Sequence, residues 1–194
     1  MVLVGGYTLS YLKESVIAFY FGVSSDVDAY TIAVTIPVTL FAIVSVSLRS
    51  IIVPLYSELI NTDSVENSNR FIDNVITIVG LGSIVLVIAF ELLASLLVKI
   101  FAPGFDNETH QLSVELIRLT LPSVIFTMIS SVITGLLNVH KRFITTAFSV
   151  YFLNISIIVC IIILYSKFGI ISACLGQLVG CFVQFLYLRL VAIK

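Results

Sequence analysis

Apolar segments long enough to cross a lipid bilayer recur along almost the whole chain. A transmembrane helix needs about 20 mostly apolar residues, because each residue adds only about 1.5 Å along the helix axis. The sequence therefore predicts an all-α integral membrane protein with about six transmembrane helices. The predicted spans are roughly residues 2–21, 28–59, 71–101, 112–139, 143–165 and 170–192.

The composition agrees with this interpretation. Of the 194 residues, 59% are hydrophobic and only 11% are charged, whereas about a quarter of a soluble domain is charged. Membrane lipids are thus expected to cover much of the surface. The formal net charge of -1 gives no basic excess, so no nucleic-acid partner is predicted.

Prolines and charges organise the chain further. The second span would be about 48 Å long, which exceeds the hydrocarbon core, so it is expected to tilt, protrude or bend at Pro37 or Pro54. The polar segment 61–69 is predicted to be a surface loop. Because cytoplasmic loops retain Lys and Arg, the basic residues predict that both termini are cytoplasmic. One side holds Arg70, Lys141, Arg142, Arg189 and Lys194; the other holds Lys99, Lys167 and, near a span end, Arg118.

Residues typical of catalysis are missing from the sequence. Both histidines, His110 and His140, fall in predicted turns, and there is neither a Gly-rich phosphate loop nor a His-Glu metal motif. The three cysteines lie inside apolar stretches, where small packing residues are the favoured interpretation. We therefore predict a protein that is not an enzyme, with no cofactor and no metal.

Ionisable residues inside spans are the candidate functional residues, since a charge at the bilayer centre costs at least about 2.5–3.5 kcal/mol. Lys13 and Glu14 are neighbours that point about 100° apart on a helix, so one is expected to pair across helices while the other lines water. The alternative is a structural interhelical ion pair or a lysine that reaches to the interface. Arg49 either grips the phosphate of an anionic lipid or reaches to the interface. Asp28 either caps the second helix or serves as a gate.

Two regions carry a series of recognisable motifs. The first is Ala18 to Leu59, with a Phe-Gly turn, an Asp-Ala pair, an Ile-Pro pair and a later Pro followed by Ser-Glu. The second runs from Phe101 to Phe148, with the motifs APGF and GLLNVHKRF, and is followed by Asn154 in FLNIS. In these motifs and in their order, which cover most of the chain, the sequence resembles the MurJ/MviN family of lipid II flippases.

The resemblance implies one lobe of a MATE-like exporter fold in the bacterial cytoplasmic membrane, facing a second lobe across a central cavity. It implies an anionic lipid-linked peptidoglycan precursor as substrate, moved outward by alternating access. Lys13, Glu14 and Asp28 match family positions and become candidates for substrate binding or gating, together with Arg49. Family members have about fourteen helices built from repeats, so a second lobe is expected from a C-terminal half or another copy.

Some family features are missing. Residues 38–42 and 45–47 replace a basic pair and an Ala-Glu-Gly motif, and Tyr7 stands where the family often has an arginine. Two alternatives follow from these departures: a polysaccharide-unit flippase of the same superfamily, or a truncated membrane remnant that serves only as a scaffold.

Overall fold

A computed structural model describes the backbone of residues 2–62 and 65–192 and the side chains of residues 5–60, 67–68 and 70–192. Over this part of the chain the backbone forms seven α-helices. They are α1 (Val2–Phe21), α2 (Ser25–Thr62), α3 (Val65–Phe101), α4 (Asn107–Thr120), α5 (Ser123–Val139), α6 (Phe143–Phe168) and α7 (Ile171–Ala192).

The predicted all-α membrane fold is confirmed. Within the described residues, four helical segments are individually long and apolar enough to cross a membrane: Ser25–Ile60, Arg70–Phe101, Phe143–Phe168 and Ile171–Ala192. The pair α4 and α5, bent by 45°, makes a fifth if it counts as one broken span. The remaining predicted span, residues 2–21, corresponds to α1. That α1 crosses the membrane stays a prediction.

The predicted fourth span, 112–139, is not one continuous helix. Its helical part begins earlier, at Asn107, and breaks between Thr120 and Ser123, where Pro122 supplies no backbone N–H and crowds the preceding turn. At its start, the Asp106 carboxylate accepts hydrogen bonds from the N–H groups of Glu108 and Thr109. The Thr109 hydroxyl also donates to this carboxylate, at 2.6 Å, and lowers the pKa of Asp106.

The helix α2, in contrast, continues through both of its prolines. Pro37 cannot donate to the carbonyl four residues earlier, which belongs to Ala33. That carbonyl accepts a hydrogen bond of 2.9 Å from the Thr120 hydroxyl instead, at the C-terminal end of α4. Membrane helices tolerate proline where a neighbouring side chain satisfies the freed backbone group, and Thr120 does so here.

Two predicted boundaries are wrong. The segment 61–69 is largely helical, because α2 runs to Thr62 and α3 begins at Val65; residues 63–64 lie outside the described part. A polar composition does not by itself end a helix, because a helix that is longer than the hydrocarbon core continues beyond it. The second helix also begins before Asp28: the N–H groups of Val27 and Asp28 donate to the Ser24 carbonyl at 3.1 and 3.2 Å. Asp28 therefore lies in the first turn and does not cap the helix.

The helices pack as one bundle with a clear division of polarity. The helix α1 packs mainly on α6, α2 on α4 and α5, and α7 on α5 and α6. The outer face of α3 is exposed and apolar over several turns, at Ile78, Leu81, Val85, Ile88 and Leu92. The spacing of three and four residues places these side chains on one face, which we assign to lipid contact.

A close backbone contact lies between α6 and α7, at two glycines of α7. A Cβ atom on Gly176 would meet the Cα of Ile157 at 2.7 Å, and one on Gly180 would meet the carbonyl oxygen of Leu153 at 2.9 Å. Both distances are shorter than side chains tolerate, and the obstacles are backbone atoms that cannot rotate away. Small residues at this spacing let two membrane helices approach closely.

Replacing Gly176 with alanine is expected to destabilise the protein by about 1–3 kcal/mol, the usual cost of overpacking a tight contact. Gly82→Ala is the matched control, since a Cβ on Gly82 meets nothing within 4 Å and alanine favours a helix. Thermal unfolding in detergent micelles measures both. Equal midpoints for the two variants would contradict the packing described here.

Candidate functional site

A cavity of about 350 Å³ lies between α2, α5, α6 and α7. Most of its polar lining consists of hydroxyl groups, and α5 provides the largest share. The hydroxyl residues of α5 recur every three or four positions and so occupy one helix face: Ser123, Thr127, Ser130, Ser131 and Thr134. We call this space the hydroxyl-lined cavity.

Amide and hydroxyl side chains from α6 and α7 close the other side. Gln184 donates to the Ser149 hydroxyl at 3.1 Å, which joins α7 to α6 within the lining. Gln177 also lines the cavity, and its amide lies 3.8 Å from the Cys181 sulfur. Amide and hydroxyl groups both donate and accept hydrogen bonds, so this wall suits a polar, uncharged part of a ligand.

Two hydroxyls of the cavity lack partners. The Oγ atoms of Ser130 and Ser131 are buried, and neither makes a hydrogen bond to any described residue. Elsewhere in the bundle such groups bond to their own helix, as Ser113 does to the Thr109 carbonyl at 2.7 Å. A buried polar group without a partner is costly, so these two hydroxyls mark a place where a ligand or water would gain hydrogen bonds.

Arg49 is the only charged residue among the described residues that line the cavity. Its side chain is half-buried, and its Nε donates to the Ser45 carbonyl one turn earlier, at 3.4 Å. The remaining guanidinium N–H groups stay available, and they match the geometry of phosphate and carboxylate oxygens. With no carboxylate among those lining residues, the electrostatic field in this part of the cavity favours an anion.

Lys13 and Glu14 do not line this cavity. They form an ion pair with each other, Nζ to Oε1 at 2.8 Å, with 20% of the lysine and 66% of the glutamate side chain exposed. We expected one of the two residues to pair with a residue of another helix. Instead, the flexible Lys13 side chain pairs with Glu14, its neighbour in sequence. The helix α1 is instead held to α6 by Asn154, whose amide donates to the Ser10 hydroxyl at 3.2 Å.

Asp28 is also remote from the cavity. It is exposed in the first turn of α2, and the helical rise places it about 31 Å from Arg49 along the axis. The structure thus separates the four candidate residues into three places: the ion pair on α1, Asp28 at one end of α2, and Arg49 in the cavity. Over the described residues, no group of three or more His, Cys, Asp or Glu side chains could hold a metal.

Arg49 was predicted as a functional residue, because it is an ionisable residue inside a span. The hydroxyl face of α5 was not predicted. The signal was present in the sequence, because residues 123, 127, 130, 131 and 134 are all Ser or Thr at helical spacing. Five hydroxyls on one face of an apolar helix indicate a polar neighbour or a cavity more strongly than any single one does.

The unpartnered and partnered hydroxyls are expected to respond differently to removal. Ser130→Ala should leave the free energy of unfolding unchanged or raise it, because no hydrogen bond to a described residue is lost. Thr120→Val keeps the side-chain volume but strands the Ala33 carbonyl, and should cost about 1–3 kcal/mol. Unfolding in detergent micelles compares them. A loss for Ser130→Ala as large as that for Thr120→Val would contradict the assignment of Ser130 to the cavity.

Comparison with known proteins identifies relatives over nearly the whole chain. A family model described as "Lipid II flippase MurJ" matches residues 17–194. The lipid II flippase MurJ of Thermosipho africanus (strain TCF52B) is 33% identical over 178 residues, which cover 91% of this chain and 36% of the relative. A probable lipid II flippase MurJ of Buchnera aphidicola subsp. Baizongia pistaciae is 32% identical over 92% of this chain and 36% of its own length.

A solved structure shows the same similarity in three dimensions. A structure of a lipid II flippase MurJ in an inward closed conformation superposes with a TM-score of 0.84 at 31% identity. The match covers 97% of this chain and 40% of the solved one. The chain therefore spans well under half the length of the proteins that it matches.

Proposed function

The chain belongs to the lipid II flippase MurJ family, and we propose that it forms the N-terminal lobe of a transporter for an anionic, lipid-linked peptidoglycan precursor. The observation that carries the proposal is the hydroxyl-lined cavity with Arg49 in its wall, in a chain whose fold is that of part of a solved flippase. The transporter would act by alternating access in the bacterial cytoplasmic membrane.

The cavity chemistry suits such a substrate. A lipid-linked precursor carries phosphate together with a polar, hydrogen-bonding head. Arg49 would hold a phosphate oxygen, and the unpartnered hydroxyls of Ser130 and Ser131 would bond to uncharged polar groups. Because the cavity replaces water with fixed hydrogen-bonding groups, it lowers the cost of moving a polar head through the bilayer.

A second lobe completes the transporter in this proposal. The chain covers 36% of the Thermosipho africanus relative, so a C-terminal half or another copy would supply the opposite wall. Glu14 is largely exposed and Asp28 is exposed at the start of α2. In this proposal both carboxylates, and Lys13 through its pairing with Glu14, contact that lobe and act as gates.

We propose further that both termini face the cytoplasm. The end of the bundle that holds the start of α3 and the ends of α5 and α7 carries Arg70, Lys141, Arg142 and Arg189, and such clusters remain on the cytoplasmic side. Lys194, which the sequence assigns to the same side, lies outside the described residues. The proposed activity is transport without a chemical step, so it needs neither an enzyme's catalytic residues nor a cofactor.

Complementation of a bacterium depleted of its own lipid II flippase tests this function. The chain would be expressed alone and together with the C-terminal remainder of the Thermosipho africanus relative, with its membrane level checked in both cases. Rescue by the pair supports a half-transporter, and rescue by the chain alone supports a lobe that pairs with its own copy. Failure of both, with the protein present in the membrane, contradicts the proposal and favours a polysaccharide-unit flippase or a non-transporting scaffold.

Within a rescuing pair, Arg49→Gln is expected to lower transport about tenfold, because a hydrogen bond to a charged group contributes about 1.5–3 kcal/mol. Arg49→Lys should retain part of the activity, since it keeps the charge but loses the fork of donors. Arg118→Gln is the matched control: Arg118 is 56% exposed, lies 4.0 Å from Glu91 and does not line the cavity. Transport unchanged by Arg49→Gln would exclude an anion-binding role for Arg49.

A further inference from the structure

A second cavity, of about 300 Å³, lies at the basic end of the bundle, between the start of α3 and the ends of α5 and α7. Its floor is apolar and is formed by Ile133 and Leu137 of α5, which are both buried. Ile72 and Ile76 of α3 form one wall. We call this space the amphipathic groove, because charged side chains line it beside the apolar floor.

The polar lining carries both signs of charge. Asp73 of α3 is exposed, Arg189 of α7 is half-buried, and both contribute to the groove. Neither side chain forms an ion pair, at an N–O distance of 4.0 Å or less, with another described residue. The third polar part is a pair: the Tyr56 hydroxyl and the Nε2 of His140 lie 3.2 Å apart, and the two rings pack edge to face.

This arrangement differs from the hydroxyl-lined cavity in its chemistry. An apolar floor at the end of a membrane-spanning bundle suits an acyl chain, whereas a neighbouring cation and carboxylate suit a headgroup that carries both charges. The volume of about 300 Å³ is at the lower end for ligand pockets. It accommodates a headgroup and the first part of an acyl chain.

From this juxtaposition of Asp73, Arg189 and an apolar floor, we propose that the amphipathic groove binds one phosphatidylethanolamine molecule. Arg189 binds the lipid phosphate, because its donors match phosphate oxygens. Asp73 accepts hydrogen bonds from the primary ammonium group. The acyl chain lies along Ile72 and Ile76, towards the hydrocarbon core.

The carboxylate sets the choice of lipid. Phosphatidylcholine has the same charges, but its quaternary ammonium has no N–H to donate to Asp73. Phosphatidylglycerol has no cation, so its headgroup leaves Asp73 unpaired beside a phosphate, which is unfavourable. The basic residues close to the groove, Arg70, Lys141 and Arg142, attract any phosphate, and the discrimination therefore depends on Asp73. This site is independent of the proposed transport function.

Native mass spectrometry of the detergent-purified chain tests the proposal with phosphatidylethanolamine, phosphatidylcholine and phosphatidylglycerol of identical acyl chains. We expect phosphatidylethanolamine to bind about threefold to fivefold more tightly than either competitor, as fits a partly solvated charge contact. Asp73→Asn should remove most of this preference. Arg189→Gln should weaken all three lipids, and Arg189→Lys should restore part of the binding.

Asp26→Asn and Arg118→Gln, neither of which changes a lining residue of the groove, are the charge-matched controls and should bind lipid as the unsubstituted chain does. Each variant must elute from size-exclusion chromatography as the unsubstituted chain does before its binding is compared. Equal binding of the three lipids by the unsubstituted chain would overturn the proposal. So would a preference for phosphatidylglycerol that Asp73→Asn leaves unchanged, which would indicate a general anionic-lipid surface.

Discussion

In hydrocarbon, every backbone N–H and C=O group must find its partner within the protein, and this constraint shapes the whole bundle. Helices satisfy it residue by residue, and the hydroxyls of Ser and Thr mostly bond back to a carbonyl of their own helix, as Thr31 does to Val27 at 2.8 Å. The exceptions are informative. Thr120 serves a carbonyl that Pro37 leaves free, whereas Ser130 and Ser131 find no described partner.

The same constraint explains how a polar cavity exists inside an apolar bundle. The helices α6 and α7 pack tightly at Gly176 and Gly180, and both also line the cavity that lies between them, α2 and α5. Polar side chains gather in that space, while the outer face of α3 stays apolar. Arg49 lies in the wall of this cavity, where its charge faces polar groups and space for an anion, rather than on the apolar outer face of α3. The lobe is thereby divided into a surface for lipid and a surface for a polar ligand.

The all-α membrane fold and the family were predictable from the sequence, because long apolar runs and local motifs carry that information directly. It did not predict the break before Pro122, because Pro37 and Pro54 look similar in sequence and yet lie inside a continuous helix. At Pro37 the freed carbonyl is satisfied by Thr120 of another helix, a contact that the sequence alone does not show. The pairing of Lys13 with Glu14 was not predicted either. The prediction used only the roughly 100° between adjacent residues on a helix, and a long lysine side chain can bridge that separation.

The account depends most on the claim that the hydroxyl-lined cavity is hydrated while the outer face of α3 is not. Single cysteines at Thr134 in the cavity and Ile84 on α3, in a chain without its three native cysteines, measure this through their reaction with a membrane-impermeant thiol reagent. Only a thiolate reacts, and it forms where water reaches the sulfur. The account predicts rapid labelling of Thr134→Cys and little of Ile84→Cys. An unreactive cysteine at position 134, or equal rates at both positions, would contradict it.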